Sequence, residues 1–430
     1  MLALLLLLAA PFQTAGPLPP PVDSSDVALV EAVVPPAPRA RVEIADEPEG
    51  DIEFRPRVAP SALYSPNRGL GIGAGVGIRN VGWPGSDLTA DVRLQQHYQS
   101  ADVSFFTADP LRATTHGLLT VGASTTDRRR YYGLGPGTLR DSEIFLDHDA
   151  AEAEARFGAY PLGTTALYVQ PSVRLLYDRS NGINDALGGG TLADLDEASR
   201  EALVIADGTR TGASFGLELA TDRRDWAPYP RSGMVAAIEH RRFVAFDDSD
   251  LTLARYGVSA VGYVPVRGRT VLVFRGIGLV TRSGDADGDG QDDPIPYYYL
   301  PTLDARVATA YRPDRLTGRD VLAAGAGIRA PVFDFLGVYG IDVLAMGYLG
   351  NAYDNVFEQF TPRVSFENGG VVGDDGSAAL RPSLALGLGL VNLDKETVVL
   401  GGLLGVGPDG VTLASLRIAY DLRDARALFR

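Results

Sequence analysis

The chain of 430 residues contains no cysteine, so a disulfide framework, a thiolate metal site, an iron–sulfur cluster and a thiol nucleophile are all excluded. Lysine is almost absent: Lys395 is the only one, the other basic residues are arginines, and the formal net charge is −15. Because a general nucleic-acid-binding surface has to be basic, this composition argues against a nucleic-acid partner. No segment reaches about 18 apolar residues without a charge, which excludes membrane-spanning helices.

The first 53 residues differ in composition from the rest of the chain. Residues 2–10 form an apolar run, too short to span a membrane and followed by small residues, which predicts a signal peptide over residues 1–15 and therefore export. Residues 16–53 are rich in proline and acidic residues, and such segments bury too little apolar surface to offset the entropy lost on ordering. We interpret them as a linker that is too short to hold a periplasmic domain.

Beyond the linker the dominant pattern is an alternation of apolar and polar residues, which is the two-residue period of β-strands. Within residues 166–178, for example, Val173 and Leu175 alternate with Ser172 and Arg174. The pattern predicts sixteen strands, at residues 55–65, 70–80, 88–99, 101–109, 115–126, 148–161, 166–178, 210–222, 234–245, 251–264, 270–281, 321–332, 338–349, 379–391, 397–406 and 411–422.

The length and polarity of these strands favour a transmembrane barrel over a soluble sandwich. Sandwich strands average about five or six residues, whereas most of these reach the roughly 9–11 that a tilted strand needs to cross a bilayer. An apolar face toward lipid, and a lumen face of arginine, acid and glycine, also fit a barrel. The predicted fold class is all-β, a sixteen-stranded antiparallel transmembrane β-barrel over residues 54–425. We expect a monomer in the bacterial outer membrane, in contact with its lipid, and the sequence leaves any protein partner open.

Several short motifs, taken in order, resemble those of BamA/TamA-type bacterial surface-antigen barrels. Residues 60–66, with the glycine-rich strand after them, resemble the first hairpin of that family, and residues 131–135 (YYGLG) resemble its YGLG stretch. Residues 221–233 resemble its D-x-R-D…P-x-x-G turn, and residues 295–311 occupy the place of its large sixth loop. Members that insert or translocate proteins carry POTRA domains before the barrel. The resemblance therefore implies a short member lacking POTRA domains.

The resemblance also implies a departure from the family inside the barrel. The family's sixth loop carries V-R-G-F/Y, whose arginine pairs with acids on the next two strands. Here the matching stretch is ATAY, so Thr309 takes the place of the arginine. The two acids fall on Gly327 and Ala345, with Asp342 as a substitute if the alignment slips. We therefore expect the interior arginine–acid pairing to be absent.

One acidic motif has the spacing of a calcium loop. Residues 285–293 read DADGDGQDD, with carboxylates at positions 1, 3 and 5 and glycine at position 6, the arrangement that wraps oxygens around a hard cation. Position 12 is Pro296, so the bidentate glutamate of an EF-hand is missing, and a solvated acidic external loop is the alternative. Calcium is the one cofactor suggested, and its expected ligands are Asp285, Asp287, Asp289, Asp292 and Asp293.

No motif has catalytic spacing, so no enzymatic activity is expected. His97, His116, His148 and His240 fall on separate predicted strands, and neither a G-x-S-x-G elbow nor an H-E-x-x-H motif occurs. Two hypotheses remain: a structural or envelope-biogenesis barrel of the surface-antigen type without POTRA-based insertase activity, or a passive channel or uptake porin. The sixth loop separates them, because a loop folded into the lumen plugs it and a loop outside leaves it wet.

Overall fold

A computed structural model describes the chain between residues 57 and 418. Within these limits it leaves out residues 66–67, 80, 82–85, 109–114, 161–166, 226–228, 248, 286–291, 304–310, 313, 368–371, 395–396 and 409. The predicted signal peptide and linker lie outside the described residues.

Sixteen strands form the wall of one sheet, and all sixteen predicted strands are confirmed with boundaries shifted by a few residues. They are β1 (Arg57–Ser65), β2 (Gly69–Arg79), β3 (Ser86–Gln95), β4 (Tyr98–Ala108), β5 (Thr115–Tyr131), β6 (Ile144–Ala159), β7 (Tyr168–Ile183), β8 (Gly208–Asp222), β9 (Gly233–Ala245), β10 (Thr252–Arg267), β11 (Thr270–Ser283), β12 (Asp320–Phe335), β13 (Tyr339–Tyr353), β15 (Ala378–Asn392), β16 (Thr397–Gly407) and β17 (Gly410–Ile418). A further short strand, β14 (Phe360–Val364), lies in a loop and pairs in parallel with β15.

The wall strands pair antiparallel with their neighbours in chain order, from β1–β2 through β12–β13 and then β13–β15, β15–β16 and β16–β17. The first and last strands approach each other to within 8 Å between Cα atoms. No ladder joins these two strands in the part of the chain that the structure describes. The sheet therefore curls into a barrel whose seam lies between β1 and β17.

The connections differ in length between the two ends of the barrel. The long ones share one end, and we name them the third loop (132–143), the fourth loop (184–207), the sixth loop (284–319) and the seventh loop (354–377). The other end carries short connections such as residues 268–269 and 336–338. Outer-membrane barrels have short periplasmic turns and longer extracellular loops, so the end with the long loops is the external one.

In the described part of the chain, α-helices occur in two of the external loops. Helix α1 (Glu197–Val204) lies in the fourth loop, and the single-turn helix α2 (Val356–Gln359) lies in the seventh. Among the described residues, no helix is long and apolar enough to cross a membrane.

The alternation along each strand divides the side chains between lipid and lumen. On β7, Val173 and Leu175 are 44% and 51% exposed, whereas Gln170 and Ser172 are buried. The same division recurs around the wall, where the exposed large side chains include Ile72, Leu119, Phe215, Ile238 and Leu388. So extensive an apolar outer surface is stable only when lipid covers it.

One residue lies on the face opposite to the one predicted. Continuous alternation from Leu88 places Tyr98 on the lipid face of the third strand. In the structure Gln96 and His97 form a two-residue turn, so Tyr98 opens β4 instead. Its side chain is buried, and the guanidinium of Arg68 lies 3.6 Å from the centroid of its ring. The tight turn restarts the alternation, which the period alone cannot reveal.

Candidate functional site

The sixth loop folds into the barrel. Leu303, Tyr311 and Leu316 of this loop are almost completely buried, and they join one cluster with lumen-facing side chains of β9 to β15, such as Val261 and Met346. The Tyr311 hydroxyl also donates a hydrogen bond to the Pro382 carbonyl at 3.2 Å. Burying a large apolar side chain contributes roughly 1.5–3 kcal/mol. The loop is therefore held against this wall mainly by the hydrophobic effect.

Three consecutive tyrosines, Tyr297 to Tyr299, hold the first half of the sixth loop in a short 3-10 turn. Burial raises the pKa of these phenols above the ordinary value, so they stay protonated. Their rings contact aromatic side chains of three strands, namely Tyr131 of β5, His148 of β6 and Phe243 of β9, at centroid distances of 5.5, 5.2 and 4.6 Å.

A second set of contacts joins the sixth loop to the third loop. Arg315 is fully buried and donates to the hydroxyl and to the carbonyl of Thr138, the latter at 2.7 Å. The amide of Gly135 donates to the Thr317 carbonyl at 2.8 Å. Because Gly135 ends the YYGLG stretch, that family-like motif lies at the contact between the two loops.

Glu143, at the end of the third loop, joins three external loops. Its carboxylate accepts a hydrogen bond from the Tyr132 hydroxyl at 2.8 Å and from Arg312 of the sixth loop at 2.7 Å, and it forms an ion pair with Arg130 at 3.0 Å. Its carbonyl accepts from the amide of Gly190 in the fourth loop at 2.7 Å. Burial and the charge of Glu143 raise the pKa of Tyr132, which keeps this hydroxyl a donor. Contacts with the third loop therefore hold the sixth loop at the external end of the barrel, and the fourth loop contacts the same glutamate.

The turn between β8 and β9 (residues 223–232) covers part of the periplasmic end. Tyr229 is 1% exposed, and its hydroxyl donates to a carboxylate oxygen of Asp342 on β13. The guanidinium of Arg329 lies 3.8 Å from the centroid of the Tyr229 ring, and Arg269 donates to the other Asp342 oxygen at 3.2 Å. The lumen is therefore occupied at both ends on the side of β9 to β13.

Replacing Tyr229 with phenylalanine is expected to lower the free energy of unfolding by about 1–3 kcal/mol, because the buried Asp342 carboxylate loses a donor. Urea titration of the protein refolded in lipid vesicles measures this change. The control is Tyr177→Phe: Tyr177 is 39% exposed on the outer face of β7 and forms no hydrogen bond within the described part of the chain. Equal effects of the two substitutions would show that the Tyr229 hydroxyl does not anchor the turn.

The opposite wall of the lumen is polar. Glu154 forms ion pairs with Arg156 at 2.6 Å and with Arg241 at 3.5 Å, and Arg174 pairs with Glu152. The side chains of Arg174 and Arg241 remain 29% and 23% exposed. On β2, which pairs with β1 and β3, the lumen face carries only small residues at four positions, namely Gly71, Gly73, Gly75 and Gly77. This half of the lumen therefore presents charge instead of a hydrophobic surface.

The structure corrects one position of the expected arginine–acid pairing. Ala345 pairs directly with Ile328, which is 40% exposed on the outer wall, so Ala345 also faces lipid. The lumen-facing residues on either side of it are Leu344 and Met346. Ala345 therefore cannot be a lumen position of such a pairing, because neighbouring residues of a strand face opposite sides of the sheet.

The other positions of that pairing are described in part. Gly327 lies on the lumen face of β12, opposite Met346, as the alignment expects. Thr309 lies outside the described residues. Asp342 does face the lumen, but its carboxylate is bound by Tyr229 and Arg269 and forms no hydrogen bond or ion pair with the described residues of the sixth loop.

The five aspartates of the expected calcium loop are described only in part. Asp287 and Asp289 lie outside the described residues, and Asp285 is exposed. Asp292 accepts a hydrogen bond from Arg319 at 2.9 Å, and the carbonyl of Asp293 accepts from the same guanidinium at 3.1 Å. Among the residues described, no three His, Asp or Glu side chains are grouped so as to hold a metal. Calcium binding stays a prediction.

Calorimetry on the purified barrel tests the calcium prediction. We expect weak binding to the wild type, because position 12 of the loop lacks the bidentate glutamate. The triple variant Asp285→Asn, Asp287→Asn, Asp289→Asn should give no calcium signal. A control variant with Asp374→Asn and Asp375→Asn, in the acidic part of the seventh loop, should bind as the wild type does. Equal heats for all three proteins would leave a solvated acidic loop as the explanation.

The four histidines remain apart in the structure. Each contacts a different partner: His97 lies 3.0 Å from Asp127, His116 lies 2.5 Å from the Tyr168 hydroxyl, His148 lies 3.3 Å from Asp178, and the His240 ring lies 4.7 Å from that of Tyr256. These are hydrogen-bonding and packing contacts.

Sequence reasoning missed the residues that hold the loops in place. Tyr229, Arg315 and the run from Tyr297 to Tyr299 carry no motif whose spacing names a partner. The available signals were weak ones: Tyr229 lies between two prolines of the recognised turn, and three consecutive tyrosines are unusual in a loop otherwise rich in aspartate.

An antiparallel wall of sixteen strands, apolar outside and with an external loop folded into its lumen, defines an integral outer-membrane β-barrel. The chain shares this fold with BamA from Haemophilus ducreyi lacking POTRA domains 1–3, at a TM-score of 0.59 and 12% identity over 84% of this chain and 69% of that one. CdiB from Escherichia coli is similar at a TM-score of 0.50 and 10% identity, over 85% of this chain and 66% of that one. The resemblance to BamA/TamA-type barrels is thus confirmed at the level of the fold. No family model matches the sequence, and no curated protein sequence matches it either.

Proposed function

We propose that the protein is a monomeric outer-membrane barrel with a plugged lumen, which serves a structural or envelope-biogenesis role and catalyses no reaction. The observation that carries the proposal is the burial of Leu303, Tyr311 and Leu316 against the lumen wall. A diffusion channel needs a continuous aqueous path. On the side of β9 to β13 the sixth loop and the β8–β9 turn both interrupt such a path.

We further propose that this barrel does not insert other barrel proteins. Near the sixth loop, the lumen faces of β12 and β13 carry Val321, Ala323, Leu344 and Met346, where an arginine–acid pairing would need carboxylates. Removing one partner of a buried ion pair costs about 3–5 kcal/mol, so a barrel that gives up such a pairing is expected to lose all its members together. Hydrophobic contacts take over the anchoring of the loop.

Depletion of the protein from its native cell tests its role in assembly. We expect the other outer-membrane barrel proteins to stay at their normal levels, measured by quantitative mass spectrometry of outer-membrane fractions. The matched control is depletion of the cell's own barrel-assembly factor, which should lower those levels broadly. A broad loss after depletion of the present protein would restore the insertase hypothesis.

The passive channel remains a second candidate, because the polar wall keeps Arg174 and Arg241 partly exposed in the lumen. Planar-bilayer recordings separate the two functions. A plugged barrel should give no steady conductance steps, whereas steady steps from the wild-type protein would identify a channel.

A further inference from the structure

Strand β9 carries two basic residues on the outer wall of the barrel. His240 and Arg242 are exposed, and the alternation of the strand places both on the face away from the lumen. In register, Arg242 lies opposite Phe215 of β8 and His240 lies opposite Leu217. These two neighbours are 52% and 46% exposed, so the basic side chains stand within the apolar surface that lipid covers.

Arg242 forms no hydrogen bond or ion pair with any described residue. On its other side it lies opposite Ala254 of β10, and Ala254 in turn lies opposite Arg282 of β11. Arg282 is already held by the Asp320 carboxylate at 2.6 and 3.0 Å. The small side chain of Ala254 leaves the space beside Arg242 open. Of the two arginines that flank Ala254, Arg282 is therefore neutralised by a described carboxylate and Arg242 is not.

The height of Arg242 in the membrane follows from the strand geometry. Arg242 is the tenth residue of β9, counted from Gly233 at the periplasmic end. At about 3.3 Å per residue and a tilt of roughly 40°, it lies about 23 Å above that end. The apolar band of an outer-membrane barrel is about 25 Å tall. Arg242 therefore lies near the external edge of the band, where the lipid headgroups begin.

An arginine on the lipid face costs about 2–4 kcal/mol at the bilayer midplane but only about 0–1 near the interface, so this position is tolerable for a cation. Phosphate is the headgroup anion that a guanidinium binds best, through two parallel hydrogen bonds. The formal net charge of −15 repels anionic lipid in general. A local cation is therefore needed to bind one.

We propose that Arg242 binds the phosphate of a phosphorylated lipid in the outer leaflet. His240 donates a second hydrogen bond, and the ring of Tyr256 lies 4.7 Å from the imidazole. The acyl chains of the lipid extend from the level of Phe215 past Leu217, toward the centre of the bilayer. The inference rests on the membrane placement of the barrel that the proposed function also assumes.

Native mass spectrometry of the full-length protein in neutral detergent tests the site, with lipid A, a phosphorylated glycolipid, as the probe. The wild type should retain one lipid A molecule, and Arg242→Gln should weaken its binding roughly tenfold, the equivalent of about one lost charge-assisted hydrogen bond. Arg242→Lys should bind between the two. The control Arg200→Gln, on exposed helix α1, should bind as the wild type does.

Two controls separate the sources of failure. Millimolar inorganic phosphate should not displace lipid A, because free phosphate gains nothing from Phe215 and Leu217. Displacement, or equal lipid A retention by wild type and Arg242→Gln, overturns the lipid site and leaves the plugged-barrel role intact. A shift in gel mobility on boiling reports the folded barrel for each variant. If the wild type lacked this shift, the membrane barrel itself would be wrong.

Discussion

Replacing Leu386 with arginine is expected to lower the free energy of unfolding by about 2–4 kcal/mol, the cost of a cation facing hydrocarbon near the bilayer midplane. Leu386 lies on the outer face of β15 and is 43% exposed, between Leu384 and Leu388, which are also exposed. In the folded barrel, lipid surrounds this row, so the new guanidinium cannot reach water without moving the strand. Urea titration in lipid vesicles measures the effect.

A matched control separates the membrane effect from the general effect of a new charge. Phe357 is 81% exposed on α2 in the external seventh loop, so Phe357→Arg exchanges one water-exposed side chain for another. Surface changes of this kind usually alter stability by no more than about 0.5 kcal/mol. Arg174→Lys in the lumen should likewise cost far less than Leu386→Arg. Equal costs at Leu386 and Phe357 would mean that β15 does not face lipid.

Replacing Leu303 and Leu316 together with serine is expected to release the sixth loop and turn a silent barrel into a conducting one. Both leucines are at most 1% exposed, in the cluster that joins the loop to the lumen wall. Removing a buried leucine side chain costs about 2–5 kcal/mol, and a buried hydroxyl without a partner adds to that cost. The two substitutions together remove both leucines by which the loop packs on the aliphatic part of the lumen wall. Planar-bilayer recording should then show discrete conductance steps.

The control for this variant is Leu139→Ser. Leu139 is 54% exposed in the third loop, and its replacement should leave the barrel silent and equally stable. The result that would contradict the plug is a double variant that stays silent while its free energy of unfolding falls as expected. Such a barrel would have lost the loop's contacts and still be closed, so another segment would have to close it.

The lumen has two halves with different surfaces, and this asymmetry explains where the second half of the sixth loop packs. The wall from β9 to β15 carries the aliphatic cluster that contacts Leu303 and Leu316 of the sixth loop, whereas the wall from β6 to β9 carries ion pairs such as Glu154 with Arg156. Packing of an apolar loop stabilises the folded state only where the loop covers apolar surface. The second half of the loop therefore lies against this wall, while Tyr297 and Tyr298 of its first half contact β5 and β6. Release of the second half should expose the charged wall to a water-filled passage.

The strands and their faces could be predicted from the sequence because β-structure is encoded locally. Alternation of apolar and polar residues over about ten positions indicates each strand, and the same alternation predicts which side chains face lipid. The exception shows the limit of the rule. Alternation alone predicts the wrong face for Tyr98, because a two-residue turn, which leaves little trace in the composition, restarts the period.

The interior of the barrel was decided by the tertiary structure alone. Tyr229 and Asp342 are 113 residues apart in the chain, and only the curvature of the sheet brings the hydroxyl to the carboxylate. The burial of Leu316 and the outward position of Ala345 likewise depend on strand register and on the path of a loop across the lumen. Alternation fixes the face of a residue relative to its own strand. Which distant residue it meets there depends on contacts that form only when the sheet curls.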